Sequence, residues 1–136
     1  MAFEGQQAVK LQGAVAGGDL SAAANQYKFV KYNGTDNQVV LCTSTTDVPC
    51  GVLQAPAPSS ATGTPVEVVA AGITKIQISG ALSSGNILQT DASARAKVAV
   101  STGLVVGQYM ATQGGGTTAG DYGTAMINCL APSIKA

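Results

Sequence analysis

Short apolar runs separated by turn residues are the feature of this sequence that most restricts its fold. Runs rich in Val, Ile, Leu, Thr and Tyr recur about every 8 to 15 residues, each bounded by Gly, Pro, Asn, Asp or Ser. No window carries the apolar i, i+3, i+4, i+7 spacing of an amphipathic helix. This pattern predicts an all-β fold, a small antiparallel β-barrel or sandwich. The predicted strands are 6–11, 26–32, 37–43, 50–55, 65–70, 73–79, 86–90, 96–101, 104–111 and 123–130.

Length and charge predict one domain whose surface favours association with a partner, and a simple small soluble domain is the alternative. The chain has 136 residues, and charged residues make up only 10% of them, with seven basic and seven acidic side chains. A net charge of zero favours association. We predict a single domain at 22–136, preceded by an extended N-terminal arm at 1–21. The segment "AVKLQGAVA" of this arm is expected to add as a strand to a neighbour's sheet edge.

Three hairpins can be placed by turn residues and register. Asn33-Gly34 predicts a tight turn between two strands. In "PVEVVAAGITKIQIS", a turn at Ala70 to Gly72 places Glu67 opposite Lys75 as an exposed ion pair. In "LCTSTTDVPCGVL", a turn near Thr46 sets Cys42 opposite Cys50. We expect these cysteines to be reduced core thiols rather than a disulfide or metal pair.

The chain contains a weak internal repeat. "CGVLQAPAPSSATGTPVEVV" and "VGQYMATQGGGTTAGDYGTAMI" each run from a strand through a long loop of small residues to a second strand. Gly63 of the first copy corresponds to Gly120 of the second. The repeat predicts two similar hairpins with long Gly/Ser/Thr-rich loops, and loops of this length are usually binding or disordered segments.

Candidate residues for catalysis, metal binding or nucleic-acid binding are scarce. The chain has no histidine and no C-x-x-C pair, and its acidic residues are spread singly. The seven basic residues are also scattered, and no apolar run reaches the roughly 20 residues that span a bilayer. The start "MAFEGQQAVK" does not resemble an export signal. We therefore expect no enzyme, no cofactor, no metal, no nucleic acid and no membrane partner.

Two other expectations concern aromatic residues. Tyr27, Phe29 and Tyr32 are expected to pack in the core or in a subunit contact. An alternative function, a glycan-binding tail or fibre-associated β module, would use exposed aromatic and acidic side chains around a pocket. Tyr109, Asp121 and Tyr122 near the second long loop are the candidates for such a site.

The order of strand and turn signals resembles the small capsid decoration proteins, or cement proteins, of tailed phages. The resemblance rests on Gly51-Val52, on a "G-x-x-V-x-V" strand at 63–68, on a "G-(D/N)-x-L-x-x-D" turn at 85–91, and on a closing hairpin at 105–121. It covers most of the chain. One departure is visible, because "DASAR" has no glycine soon after Asp91, and the turn there is expected to be wider.

The resemblance implies a structural virion protein without catalytic activity. Such a protein is made in the host cytoplasm, binds the major capsid protein on the outer capsid surface and stabilises the shell. It associates with itself, as a homotrimer in preference to a dimer. The N-terminal arm and the long loops would supply the contacts, and the residues expected there are Phe3, Val9, Leu11, Val15, Pro56, Pro58, Gln113, Thr117, Asp121 and Tyr122.

Overall fold

The structure, a computed structural model, describes residues 8–112 and 117–136. Within these ranges the chain is all-β, with no α-helix and one short 3-10 turn at Ala23–Asn25. Its strands, most of them short and bounded by turns, are β1 (Val9–Lys10), β2 (Val15–Ala16), β3 (Phe29–Tyr32), β4 (Gln38–Leu41), β5 (Gly51–Leu53), β6 (Val68–Gln77), β7 (Ile87–Thr90), β8 (Ala96–Val98), β9 (Leu104–Val105), β10 (Gly107–Thr112), β11 (Tyr122–Asn128) and β12 (Ser133–Ile134). The all-β prediction is confirmed.

Ten of these strands form one mixed sheet. Nine lie in the order β2-β4-β3-β5-β6-β11-β10-β7-β8, β1 also pairs with β6, and β12 pairs with β9 in a separate two-stranded sheet. The prediction of a purely antiparallel fold is wrong, because β2 runs parallel to β4. This pairing brings Ala16 against β4 and into the core. The sheet is not closed into a barrel, and isolated bridges at Val15 with Pro65 and Ile78 with Ala96 extend its pairing.

Successive residues of the central strands point into two separate apolar cores. Phe29, Val52 and Val69 belong to one core cluster. Their chain neighbours Val30, Leu53 and Val68 belong to the other. Since side chains alternate between the two faces of a strand, the clusters lie on opposite faces of the sheet. The cores consist mainly of aliphatic side chains that suit a pleated surface, which agrees with the composition.

The described part of the predicted arm is built into this sheet. Residues 8–21 supply β1 and β2, and Ala14, Ala16 and Leu20 are buried in the second core. Both strands pair within the same chain. The addition of this segment to a neighbour's sheet stays a prediction.

The hairpin predicted at Asn33-Gly34 is confirmed. Strands β3 and β4 pair antiparallel, with Lys31 opposite Val40. The side-chain oxygen of Asn33 accepts a hydrogen bond from the backbone N–H of Thr35 at 2.9 Å. This local turn fixes the register of the hairpin.

The hairpin predicted around Gly72 is wrong. Residues 68–77 form the single continuous strand β6, and Gly72 lies inside it, opposite Ile127 of β11. Gly72 has φ +120°, a conformation open to glycine, and here it lies within a continuous strand rather than in a turn. Glu67 consequently does not reach Lys75, and it forms its ion pair with Lys10, Nζ to Oε1, at 3.2 Å.

The predicted pairing of Cys42 with Cys50 is also wrong. Strand β3 lies between β4 and β5, so the two cysteines are on opposite sides of it. Their backbone N–H groups donate to Phe29 and Val30 of β3. All three thiols are free, as predicted, with Cys42 and Cys129 buried and Cys50 half-buried.

The two long hairpins of the sequence repeat are confirmed, and they share one register. Strand β5 pairs antiparallel with β6, and β10 pairs antiparallel with β11. On the edge of each hairpin that faces away from its partner strand, Gly51 is paired with Val30 of β3, and Gly107 is paired with Leu88 of β7. The preceding residues also match, since the N–H of Cys50 donates to Val30 at 2.8 Å and that of Val106 donates to Leu88 at 2.9 Å.

The repeat extends well beyond these hairpins. Three further backbone hydrogen bonds recur at corresponding positions, with distances of 2.8 Å in the first unit and 2.9 Å in the second. In the first unit, N–H groups donate from Gly17 to Val39, from Gly63 to Ala16 and from Ala16 to Thr64. In the second unit, the matching N–H groups donate from Ser79 to Ala96, from Gly120 to Ile78 and from Ile78 to Asp121. The chain therefore folds as two similar units, joined through β6. The first long loop enters β6 at Val68, whereas the second ends where Tyr122 meets Gln77, at the other end of β6.

Candidate interaction surface

Three of the residues predicted in the N-terminal arm lie in the described part of the chain, while Phe3 lies outside it. Val9 on β1 is 47% exposed, opposite Ala71 of β6. Leu11 is half-buried and packs against the second core. Val15 is half-buried as well, and it pairs with Gln38. Of these three described residues, Val9 has the most surface left for a partner.

The first long loop, residues 54–67, is well anchored. Pro58 is exposed and Pro56 is half-buried, but Ala57 between them is buried and its N–H donates to Leu20 at 2.9 Å. Further along, the Thr64 hydroxyl donates to the carbonyl of Ala61 at 2.6 Å. The loop therefore presents an anchored surface, uncharged over residues 54–66, in which Pro58 and its neighbours are accessible.

The second long loop ends in a tight turn. Gln113 lies outside the described residues, and Thr117 is exposed. One carboxylate oxygen of Asp121 accepts hydrogen bonds from the backbone N–H and the hydroxyl of Thr118, both at 2.9 Å. These bonds hold the pKa of Asp121 below its usual value. Asp121 therefore acts as a turn-forming residue.

Tyr122 belongs to a group of side chains that the sequence did not reveal. Its ring meets that of Tyr27 edge to face, with centroids 5.5 Å apart. The ammonium group of Lys75 lies 5.9 Å from the centroid of the Tyr27 ring. We call this group the cationic cluster, and it consists of Tyr27, Lys28, Lys75, Gln77, Arg95 and Tyr122. Its members come from four separate parts of the chain, so no local motif signals it.

Gln77 positions the guanidinium group of the cluster. Its side chain is buried, and its amide nitrogen donates to the carbonyls of Ala24 at 2.6 Å and Gln26 at 2.8 Å. Its amide oxygen accepts a hydrogen bond from Nε of Arg95 at 3.2 Å. Because every polar atom of Gln77 is used, the direction of the Arg95 side chain is fixed while its two Nη groups stay available.

The positive charges of the cluster lack acidic partners. Within the described ranges, the ion pairs closer than 4 Å are Lys10 with Glu67 and Lys31 with Asp47. Burial and the charge of Arg95 lower the pKa of Lys28, and Asp91 opposes this shift. One carboxylate oxygen of Asp91, Oδ1, accepts the backbone N–H groups of Ser93 and Arg95. At Lys28 the repulsion by Arg95 therefore outweighs the attraction by Asp91.

Tyr27 has an unusual backbone conformation. Its φ is +66°, in the left-handed region that is uncommon for a bulky residue. Two backbone hydrogen bonds hold it there, from its N–H to Leu53 at 2.7 Å and from Gln77 to its carbonyl at 2.9 Å. Strain of this kind is often found at functional sites.

The remaining aromatic candidates differ in how deeply their side chains are buried. Tyr109 is one of the candidates for lining a glycan pocket, but it is 2% exposed and packs in the first core, so it cannot do so. Phe29 is buried in the same core, which confirms the expectation for that residue. Tyr27 packs partly against this core, and Tyr32 is half-exposed.

The three thiols and the potential metal ligands are the remaining candidates for reactive groups. Burial raises the pKa of Cys42 and Cys129 to about 12 and that of Cys50 to about 11, so all three thiols are protonated near neutral pH. Within residues 8–112 and 117–136, no group of three His, Cys, Asp or Glu side chains is placed to hold a metal ion. Across the same residues, no helix is long and apolar enough to cross a membrane.

Large apolar side chains are exposed on several strands and loops. Val48, Val100 and Ile134 are 60%, 54% and 71% exposed, and together with Leu104 they line one cleft of about 350 Å³. None of the residues lining this cleft is charged. Such a surface loses little on desolvation, because no charge has to be removed from water.

The turn after Asp91 departs from the decoration-protein pattern without becoming irregular. Ala94 takes the left-handed position with φ +63°, where a glycine would be usual. Asp91 closes the turn by accepting the N–H of Arg95 at 2.9 Å.

No protein-family model matches this chain, and no curated protein matches it.

Proposed function

We propose that this protein is a structural virion protein that binds the outer surface of a phage capsid and stabilises the shell. The observation that carries the proposal is an uncharged, partly apolar cleft on an all-β domain, lined by the exposed side chains of Val48, Val100 and Ile134. The anchored first loop and the described end of the second loop, residues 117–121, add accessible small side chains at the two ends of β6. Two cores on opposite faces of the sheet support a sandwich-like domain.

The mechanism is adhesion by a preformed surface. Burying apolar area against another protein contributes roughly 25 cal/mol per Å², and small side chains lose little conformational entropy when they are immobilised. Only the assembled shell presents the complete site, so binding stabilises the assembled state by mass action. We further propose self-association, as a trimer in preference to a dimer, and no catalytic activity, nucleic-acid binding or membrane binding.

Two measurements on the full chain test this function. The solution mass of the purified protein is expected to be a multiple of the chain mass of 13.5 kDa. Co-sedimentation with empty tailed-phage capsids is expected to deplete the protein from the supernatant. A monomer that remains in the supernatant with every capsid tested would contradict the proposal.

For the alternative function, a glycan-binding module, only one of the three candidate residues is an accessible aromatic side chain. Tyr122 is 38% exposed, whereas Tyr109 is buried and Asp121 is engaged with Thr118. A glycan array on the full chain separates the two functions. Strong binding to one sugar class, combined with no capsid binding, would favour the alternative.

A further inference from the structure

The cationic cluster is not required by the fold, because the first unit of the chain forms the same backbone ladder without it, whereas the second unit carries it. In the ladder of this unit Tyr122 is paired with Gln77, and Arg95 precedes β8. At the corresponding positions of the first unit, Val15 bridges to Pro65 and pairs with Gln38. The same backbone arrangement therefore forms with no charge and no aromatic ring. The charged and aromatic side chains of the cluster need another explanation.

Charge and geometry both favour an anion in the cluster. Three of the seven basic residues of the chain are gathered here, and within the described ranges none of the three has a carboxylate within 4 Å. Arg95 is held at Nε by Gln77, and its Nη groups find no acceptor among the described residues. A guanidinium fixed in this way presents the parallel donors that a carboxylate accepts.

The two tyrosines shape the place where such a group would dock. Tyr122 is exposed, and Tyr27 is held in its left-handed conformation with its ring beside Tyr122 and Lys75. Gly120 lies beside the half-buried Arg95 side chain, since a Cβ added at Gly120 would lie 3.5 Å from Nη2. Aromatic rings next to arginine are typical of protein-interface contacts.

We propose that the cationic cluster is a binding site for an acidic segment of a partner protein, with a Glu or Asp carboxylate on Arg95. Lys28 and Lys75 supply the surrounding positive potential, and Gln77 is the positioning residue. The identity of that partner as the capsid protein rests on the proposed function. The binding site itself rests only on the geometry of these side chains.

The test is a titration of the isotope-labelled full chain with a hexaglutamate peptide at low ionic strength, followed by NMR. We expect chemical-shift changes at residues 27–28, 75–77, 95 and 120–122, and binding that weakens as salt is added. An unperturbed cluster at saturating peptide would overturn the proposal. Tighter binding of sialyllactose or inorganic phosphate than of hexaglutamate would overturn the acidic-peptide assignment.

Variants localise the effect. Arg95→Gln is expected to weaken hexaglutamate binding about tenfold or more, because a charge-assisted pair is lost. Lys97→Gln removes the same charge two residues away on β8 and is expected to change binding less than about twofold. Arg95→Lys keeps the charge but not the fork and should give an intermediate affinity. Equal losses in Arg95→Gln and Lys97→Gln would contradict a defined site.

Capsid binding is measured in parallel so that the two proposals can fail separately. Capsid co-sedimentation without any hexaglutamate binding would overturn the cluster assignment and leave the proposed function intact. Hexaglutamate binding without capsid binding would support the cluster and contradict the proposed function.

Discussion

Two glycines, Gly51 and Gly107, lie so close to neighbouring backbone that no side chain fits at either position. A Cβ on Gly51 would meet the carbonyl of Val69, and one on Gly107 would meet that of Met126. These are corresponding positions of the two units, where β5 and β10 each start beside a longer strand. The close approach explains why glycine begins both copies of the sequence repeat.

Alanine at either glycine is expected to destabilise the protein. Because backbone rather than a flexible side chain must move, Gly51→Ala and Gly107→Ala should each lower the free energy of unfolding by about 1–3 kcal/mol. Gly18→Ala is the control, since nothing lies within 4 Å of its Cβ. Chemical denaturation measures all three variants. A stability of Gly107→Ala equal to that of Gly18→Ala would contradict this packing.

Asp47 couples stability to pH. Its carboxylate binds Lys31 at 2.8 Å and accepts the N–H groups of Thr43 and Ser44. Lys31 and then Thr43 hold the pKa of Asp47 below its usual 3.8 in the folded state. The stabilisation is therefore complete above the unfolded-state pKa and is lost as the pH falls through the folded-state value.

Asp47→Asn is expected to flatten the stability profile in acid. Relative to the parent protein, it should be less stable near neutral pH, and the difference should shrink below about pH 4. Asp36→Asn, an exposed change in the preceding turn, is the control. Unfolding free energies at a series of pH values decide the matter. A constant difference down to strongly acidic pH would contradict the assignment.

The thiols are expected to be unreactive in the folded protein. Burial raises the pKa of each one to about 11 or about 12, so thiolate is scarce at pH 8. A thiol-reactive chromophore should label none of them rapidly in the native chain and all three after denaturation. Rapid labelling of one thiol in the native state would show that its surroundings are more open.

At the scale of elements, β6 organises the sheet. It pairs with β1 and β5 near its beginning and with β11 along most of its length. The sheet of β9 and β12 contains only two paired positions and lies near the end of the chain. Stability to local opening should differ accordingly between these elements.

Hydrogen exchange tests this order. Amides of β6 and β11 are expected to exchange at least about tenfold more slowly than those of β9 and β12. The measurement is native-state exchange followed by NMR on the full chain. Comparable rates in the two sheets would contradict the central position of β6.

Local patterns in the sequence predicted most strands but not their neighbours. Asn33-Gly34 is a short-range signal, and its hairpin formed as expected. Gly72 carries the same kind of signal, yet pairing with Ile127 of a distant strand keeps the chain extended there. The insertion of β3 between β4 and β5 likewise depends on contacts far apart in sequence. Register between distant strands is set by core packing, which turn residues do not encode.

In the candidate site too, local features could be predicted from the sequence, whereas contacts between distant residues could not. The loops that contain Pro58 and Thr117 were predictable from composition, and both residues are exposed. The contact of Tyr122 with Tyr27 and the link from Arg95 to Gln77 were not predictable, because they join residues far apart along the chain. Only the two-unit arrangement of the strands brings them together.

At the scale of the whole molecule, the two units place their long loops at opposite ends of β6. A strand of 10 residues is about 30 Å long, so the loops lie apart by a distance of that order. Only the end near Gln77 carries the cationic cluster. The loop residues around Pro58 and the cationic cluster therefore lie at opposite ends of β6.

The central claim is that this domain acts as an adhesive on a larger assembly. Its most direct test is calorimetric melting of empty phage shells with and without the bound protein. The account predicts that saturated shells melt at a clearly higher temperature, and that Arg95→Gln weakens the gain at subsaturating concentrations. Identical melting of bare and saturated shells would contradict it.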